Sequence, residues 1–160
     1  MQLALEKLQR QFGDKILSTS QAYGDETAVV AKDFIVEIVQ FLRDNKELQF
    51  NMMMDLCGVH YPDRQKPFEV VYHFYSTKTR KRIRIKVTTD EKGEVPSISR
   101  FYKAANWFER EAFDLFGIRF SGHPNLKRIL LFEEFEGHPL RKDYPVNRRP
   151  KIPTPDSLMK

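Results

Sequence analysis

A single cysteine, Cys57, occurs in the 160 residues of this chain. An intrachain disulfide is therefore impossible, which fits a reducing compartment. An iron–sulfur cluster normally takes four cysteine thiolates, so this chain cannot hold one alone. The glycine patterns that cradle nucleotides, G-x-G-x-x-G and G-x-x-x-x-G-K-[ST], are missing as well. Long apolar runs are also missing. Ile129-Leu130-Leu131-Phe132 is among the longest, far short of the roughly 18 residues that a membrane helix needs. The opening MQLALEKLQRQF carries Glu6 early and has no signal-peptide core. It is expected to form a short amphipathic helix of a cytoplasmic protein.

The composition is that of a folded chain, 41% apolar and 31% charged, and the length suits one domain with a real core. The net charge of +5 is unevenly placed. Residues 141–160 hold six Lys/Arg and two Asp, so most of the excess lies at the C-terminal end. A basic tail can meet RNA, anionic lipid or an acidic protein surface, and charge alone does not choose among them.

Hydrophobic spacing predicts the elements. Leu3, Leu5, Leu8 and Phe12 fit one face of a helix over 2–12. Thr27 to Ala31 reads as a strand. Asp33 is placed to cap a helix through Phe34, Ile35, Ile38, Val39 and Leu42, ending near Asp44-Asn45. Leu48, Phe50, Met52 and Met54 alternate with polar or outward residues, the period of a half-buried strand. A loop over 56–67 follows, marked by Gly58, Pro62 and Pro67. Phe68–Phe74 and Arg82–Val87 alternate in the same way and form an antiparallel hairpin through Ser76–Thr79. The main helix is expected over 97–116, capped by Ser97 or Ser99. Ile98, Phe101, Ala105, Phe108, Ala112 and Leu115 make its buried stripe, and Gly117 closes it. The fold class is α+β: a small mixed or antiparallel sheet, a few packed helices and an extended C-terminal tail. The domain covers 1–136. The basic, proline-punctuated tail covers 137–160 and is expected to be disordered or laid along a partner.

Four constellations are candidates for chemistry. Cys57-x-x-His60 with His123 and His138 supplies four ligand-type side chains. Zinc motifs bring two tight pairs and only one is present, so the histidines are expected to bond turn backbone or a partner. Two of them sit in an echo, Gly122-His123-Pro124 and Gly137-His138-Pro139. Glu111 and Asp114 share a helical face with Trp107 and Arg110, but no Glu-x-x-His pair for a di-iron site exists. A charged face locked by partner ion pairs is the expectation there. Arg80, Arg82, Arg84 and Lys86 project from one strand face, as a phosphate-tracking surface would. That face lacks the aromatics of RNA-reading sheets. Cys57 beside His60 has no orienting third group, so no nucleophilic site is expected and Cys57 reads as a small buried residue.

Glu109-Arg110-Glu111, Asp114, Leu115-Phe116, His123, Lys127 and Ile129-Leu130 resemble, in that order, the signature of the 30 kDa subunit family of respiratory complex I, in its bacterial C-type form. Gly137 to Pro145, GHPLRKDYP, is also typical of that family. The resemblance implies an α+β domain in the hydrophilic arm, on the cytoplasmic face of the bacterial inner membrane and peripheral to it. It implies a non-catalytic structural subunit with no cofactor or metal of its own. NADH, FMN, iron–sulfur clusters and quinone belong to partner subunits. The implied partners are the quinone-site subunit of 49 kDa type and the subunit that holds the terminal iron–sulfur cluster, with no nucleic acid. Glu109, Arg110, Glu111, Asp114, His123, Arg128, His138, Arg141, Lys142 and Asp143 are the implied docking residues. Two other readings stand beside it: the equivalent subunit of a related membrane-bound hydrogenase, and a free basic RNA-binding module.

Overall fold

Apolar spacing of three and four residues builds the first helix, α1 (Leu3–Phe12), whose Ala4, Leu5 and Leu8 are buried. The computed structural model describes residues 3–148 of the chain. After α1 come strands β1 (Ile16–Ala22) and β2 (Asp25–Val30), helix α2 (Ile35–Asp44), and strands β3 (Met52–His60), β4 (Phe68–Tyr75) and β5 (Arg82–Thr89). A short strand β6 (Glu94–Pro96), helix α3 (Ala105–Phe116) and a short strand β7 (Arg119–Ser121) complete the set.

The five longer strands form one sheet in the order β1-β2-β5-β4-β3, and β6 pairs with β7 in a separate parallel pair. Within the large sheet β2 and β5 run parallel, while every other neighbouring pair is antiparallel. The expected β4–β5 hairpin is present, with Val70 opposite Val87 and Tyr72 opposite Ile85. Buried residues of all three helices join one apolar cluster with Ala28, Val30, Val70, Tyr72, Phe74, Ile83, Ile85 and Val87 of the sheet. Each large side chain buried there is worth about 1.5–3 kcal/mol.

Several expectations change. A single turn of tighter helix, Lys32–Phe34, precedes α2, and the Asp33 side chain makes no capping bond. β1 is a strand that apolar spacing does not predict, because six of its seven residues are exposed and carry no alternating signal. The Met52–Met54 strand has the opposite phase. Met52 and Met54 are 48% and 44% exposed while Met53 is 6% exposed. The cause is local. Gln49 has φ of 46°, and the Phe50 N–H donates to the Leu42 carbonyl, so Leu48 and Phe50 are buried from a turn and not from the strand. The register then shifts again between Met53 and Asp55. Strand β3 consequently runs on through Cys57 to His60, in place of the expected loop, and Cys57 is exposed instead of buried.

Helix α3 is shorter than expected. It starts at Ala105, and neither Ser97 nor Ser99 caps it. Gly117 does close it, with φ of 78°. Its buried residues are Ala105, Glu109, Ala112 and Asp114, so two acids share the buried surface with two alanines. Described residues beyond β7 hold no further helix or strand. The described part of the tail folds back on its own domain, as the Leu140 N–H to Leu115 carbonyl bond shows. Residues 149–160 of the expected tail lie outside the described residues.

Candidate functional site

Every turn of α3 sends a polar group into the segment before or after it. Glu109 is fully buried. Its Oε1 accepts the Ile98 N–H at 2.8 Å and its Oε2 accepts the Ser97 hydroxyl at 2.6 Å. This explains the late start of the helix: residues 97 and 98 are held by Glu109 and are not available as a first turn. Ser97 is thus a ligand of the buried acid, a role its sequence position hid behind that of a cap. Burial pushes the Glu109 carboxyl up to about 7, against the opposing pull of the Ser97 and Ile98 hydrogen bonds.

His123 reaches the same region from the other side. Its Nδ1 accepts the Asn125 N–H at 3.0 Å, so Nε2 carries the ring proton and donates to the Asn106 carbonyl at 3.0 Å. Nε2 also lies 3.9 Å from Glu109 Oε2, with both side chains fully buried.

Asp114, further along the helix, is fully buried too. Its Oδ1 accepts Arg128 Nη1 at 2.6 Å. Its Oδ2 accepts three consecutive backbone N–H groups, from Ile129, Leu130 and Leu131, at 3.0, 2.8 and 2.9 Å. Such a run of N–H groups is an anion-binding nest, here filled by the chain's own carboxylate. Burial raises the Asp114 pKa, but the bonds from Leu131, Ile129, Arg128 and Leu130 outweigh it and hold the group below its ordinary value. The other arm of Arg128, Nη2, donates to the carbonyls of Phe135 and Gly137 at 2.9 and 3.1 Å.

His138 Nδ1 donates to the Asp114 carbonyl at 2.8 Å. Its ring lies over Gly117, where a Cβ would stand 2.7 Å from His138 Cδ2. The two Gly-His-Pro turns therefore do matching work, one bonding a carbonyl in the first turn of α3 and the other a carbonyl in its last turn. The expectation that these histidines bond backbone holds for both. It holds for His60 as well, whose Nδ1 accepts the Lys142 N–H at 2.9 Å while its ring stacks on Phe68. Among the described residues, no group of three or more His, Cys, Asp or Glu side chains is placed to hold a metal ion.

The remaining candidates are nearer the surface. Arg110 donates to the carbonyls of Lys127 and Arg128 at 3.1 and 3.0 Å and lies over the Trp107 ring. Its guanidinium thus has acceptors within its own chain. Arg141 bridges Asp143 and Glu91 and lies over Phe68. Its pairing with Asp143 raises its pKa and lowers that of Asp143. Glu111 and the Lys142 side chain are exposed and make no side-chain hydrogen bond or ion pair among the described residues. Of the ten candidates, the structure gathers Glu109 with His123, and Asp114 with Arg128 and His138, while Arg141 and Asp143 form a separate pair.

The basic row on β5 is not a bare cationic track. Lys86 bonds Glu69 at 2.9 Å, and Arg84 reaches Thr27 Oγ1 at 3.4 Å. Arg80 lies in the turn before the strand, with φ of 57°. Asp25 and Asp55 line the same hollow as Arg82 and Arg84.

The sequence profile of the family described as "Respiratory-chain NADH dehydrogenase, 30 Kd subunit" matches residues 28–150. The chain is 46% identical to the C-type subunit of the NADH-quinone oxidoreductase of Mesorhizobium japonicum, over 91% of this chain and 75% of that one. It is 49% identical to the same subunit of a Roseiflexus species, over 89% and 82% of the two chains. For the Xanthobacter autotrophicus counterpart the figures are 50%, 82% and 63%. Among solved structures, a chain of the membrane-bound sulfane sulfur reductase, an archaeal respiratory membrane complex, superposes with a TM-score of 0.76. It covers 89% of this chain and 84% of that one, and at 20% identity it shows a shared fold.

Proposed function

Since this chain belongs to the 30 kDa subunit family of the respiratory-chain NADH dehydrogenase, we propose that it is the C-type subunit of an NADH:quinone oxidoreductase and acts there as a structural part. It carries no redox group itself. NADH, FMN, the clusters and quinone are handled by neighbouring subunits. It docks against the quinone-site subunit of 49 kDa type and the subunit with the terminal iron–sulfur cluster, on the cytoplasmic face of the bacterial membrane. The match to that family across residues 28–150 is the observation that carries this reading.

The geometry around α3 supports a division of labour. Glu109, Asp114, His123, Arg128 and His138 act as positioning residues, fixing the path of residues 126–140 around the helix. Glu111 and Lys142, with the Arg141–Asp143 pair, supply the outward charges. Charge-assisted hydrogen bonds from such residues give an interface its register and specificity. The hydrogenase reading is weaker, because each of the curated relatives above is named as a subunit of an NADH-quinone oxidoreductase.

The test is removal of the chain from its native cell, followed by native electrophoresis of the membranes and an NADH:quinone assay. Loss of the assembled complex together with its activity is expected. Normal NADH-driven quinone reduction without the chain would overturn the reading. A tagged copy should bring down iron–sulfur and quinone-site subunits in mild detergent; recovery of a nickel-site large subunit would move it to the hydrogenase.

A further inference from the structure

A cleft of about 520 Å³ opens beside the first turn of α3, at the opposite end of the helix from Asp114 and its nest. Its rim holds two cations, Arg100 and Lys103, both exposed. Neither is in an ion pair among the described residues, and no acidic residue lines the cleft. Trp107 forms one wall and is 60% exposed. The exposed indole offers a broad apolar face with one N–H donor, the kind of surface that anchors a partner side chain.

The Trp107 ring is also held in place. Arg110 lies 5.3 Å from its centroid, and the Arg110 guanidinium is itself fixed by the carbonyls of Lys127 and Arg128. The Asn106 carboxamide lines the cleft without a side-chain partner among the described residues. Behind it the floor is stiff. Ser99 bonds Ser97, and Ser97 bonds the buried Glu109. A pre-organised aromatic wall, an unpaired amide and two cations without acids are what an extended polypeptide with acidic side chains needs.

We propose that this cleft is a docking site for an acidic peptide segment of a partner protein. Carboxylates of the segment meet Arg100 and Lys103, an apolar side chain lies against Trp107, and the Asn106 amide bonds the segment's backbone. Two cations and one indole are too few to follow a nucleic-acid backbone. Two cations are also fewer than the clusters of about four or more that hold a protein to an anionic bilayer. The site is separate from the charges assigned above to docking, and it needs no particular partner identity.

Trp107 is the chain's one tryptophan, so its emission reports on the cleft directly. The experiment titrates the full chain with a synthetic peptide of Glu residues around one Phe, following that emission. A saturable blue shift is expected. A peptide with Gln in place of every Glu should bind about tenfold more weakly. Added salt should weaken the acidic peptide as well. Arg100→Glu and Lys103→Glu should each reduce its affinity several-fold, with circular dichroism showing that both variants remain folded. Equal binding of the Gln peptide, an unmoved Trp107 emission, or unchanged affinity in both folded variants would overturn the proposal. So would tighter binding of single-stranded RNA or anionic vesicles than of the acidic peptide. Any of these failures leaves the complex I reading standing, since that rests on assembly in the native membrane.

Discussion

Glu109 Oε2 and His123 Nε2 lie 3.9 Å apart with both side chains fully buried. The imidazole Nε2–H donates to the Asn106 carbonyl and not to the carboxyl. Burial raises its pKa from an ordinary 4.5 to about 7. The folded state therefore holds this proton more tightly than the unfolded chain does. Its contribution to stability is complete below pH 4.5 and is lost as the pH rises through about 7. The full effect is on the order of 3 kcal/mol. Glu109→Gln should flatten this part of the stability–pH curve, measured by urea unfolding at closely spaced pH values. An unchanged slope in the variant would remove the assignment.

Asp114→Ala leaves Arg128 Nη1 and three N–H groups without their carboxylate acceptor. The expected loss of stability is about 3 kcal/mol or more. It should fall first on residues 126–140, so limited proteolysis should cut there before the sheet unfolds. Resistance of that segment equal to the parent's would show that other contacts hold it.

Arg110→Ala removes two hydrogen bonds to the turn at Lys127–Arg128 and the support of the Trp107 ring. A loss of about 1 kcal/mol is expected, along with a shift in Trp107 emission in the isolated chain. No change in either quantity would return Arg110 to the role of a pure partner contact.

Cys57 is exposed, yet its thiol is pushed up by partial burial and by the nearby Asp55 carboxylate. A thiol reagent should therefore label the native chain at one site, more slowly at neutral pH than it labels the urea-unfolded chain, with a rate that climbs into alkaline pH. Complete resistance of the native chain would mean that the side chain is covered.

Much of this architecture is legible along the chain. Strands β4 and β5 and their hairpin follow from strict alternation, and α1 and α2 from helical spacing. The Gly117 stop is legible because a left-handed residue there favours glycine. The parts that spacing misses have three causes: a distant partner, an irregular backbone and strands too short to show a period. Ser97 has the look of a cap, but Glu109, twelve residues later, takes its hydroxyl. Met52–Met54 keeps a strand period whose phase is set by a left-handed Gln49. β6 and β7 are three residues each, too short for any period. In the candidate site, residue types and order are legible, but their direction is not. No local pattern says that Asp114 turns inward to a nest of main-chain N–H groups fifteen or more residues on, while Glu111 stays in solvent.

The parallel seam between β2 and β5 also sets the order in which the molecule can be made. β1–β2 and β3–β4–β5 are each built from sequence neighbours and can form early. The seam joins Thr27 to Arg84, 57 residues apart, and closing that distance costs chain entropy before any pairing repays it. The meeting of two ready-made halves is therefore the expected slow step, to be checked by stopped-flow refolding. Substitutions at Ala28 or Ile85, on the two sides of the seam, should slow refolding, while those in the outer hairpins should mainly hasten unfolding.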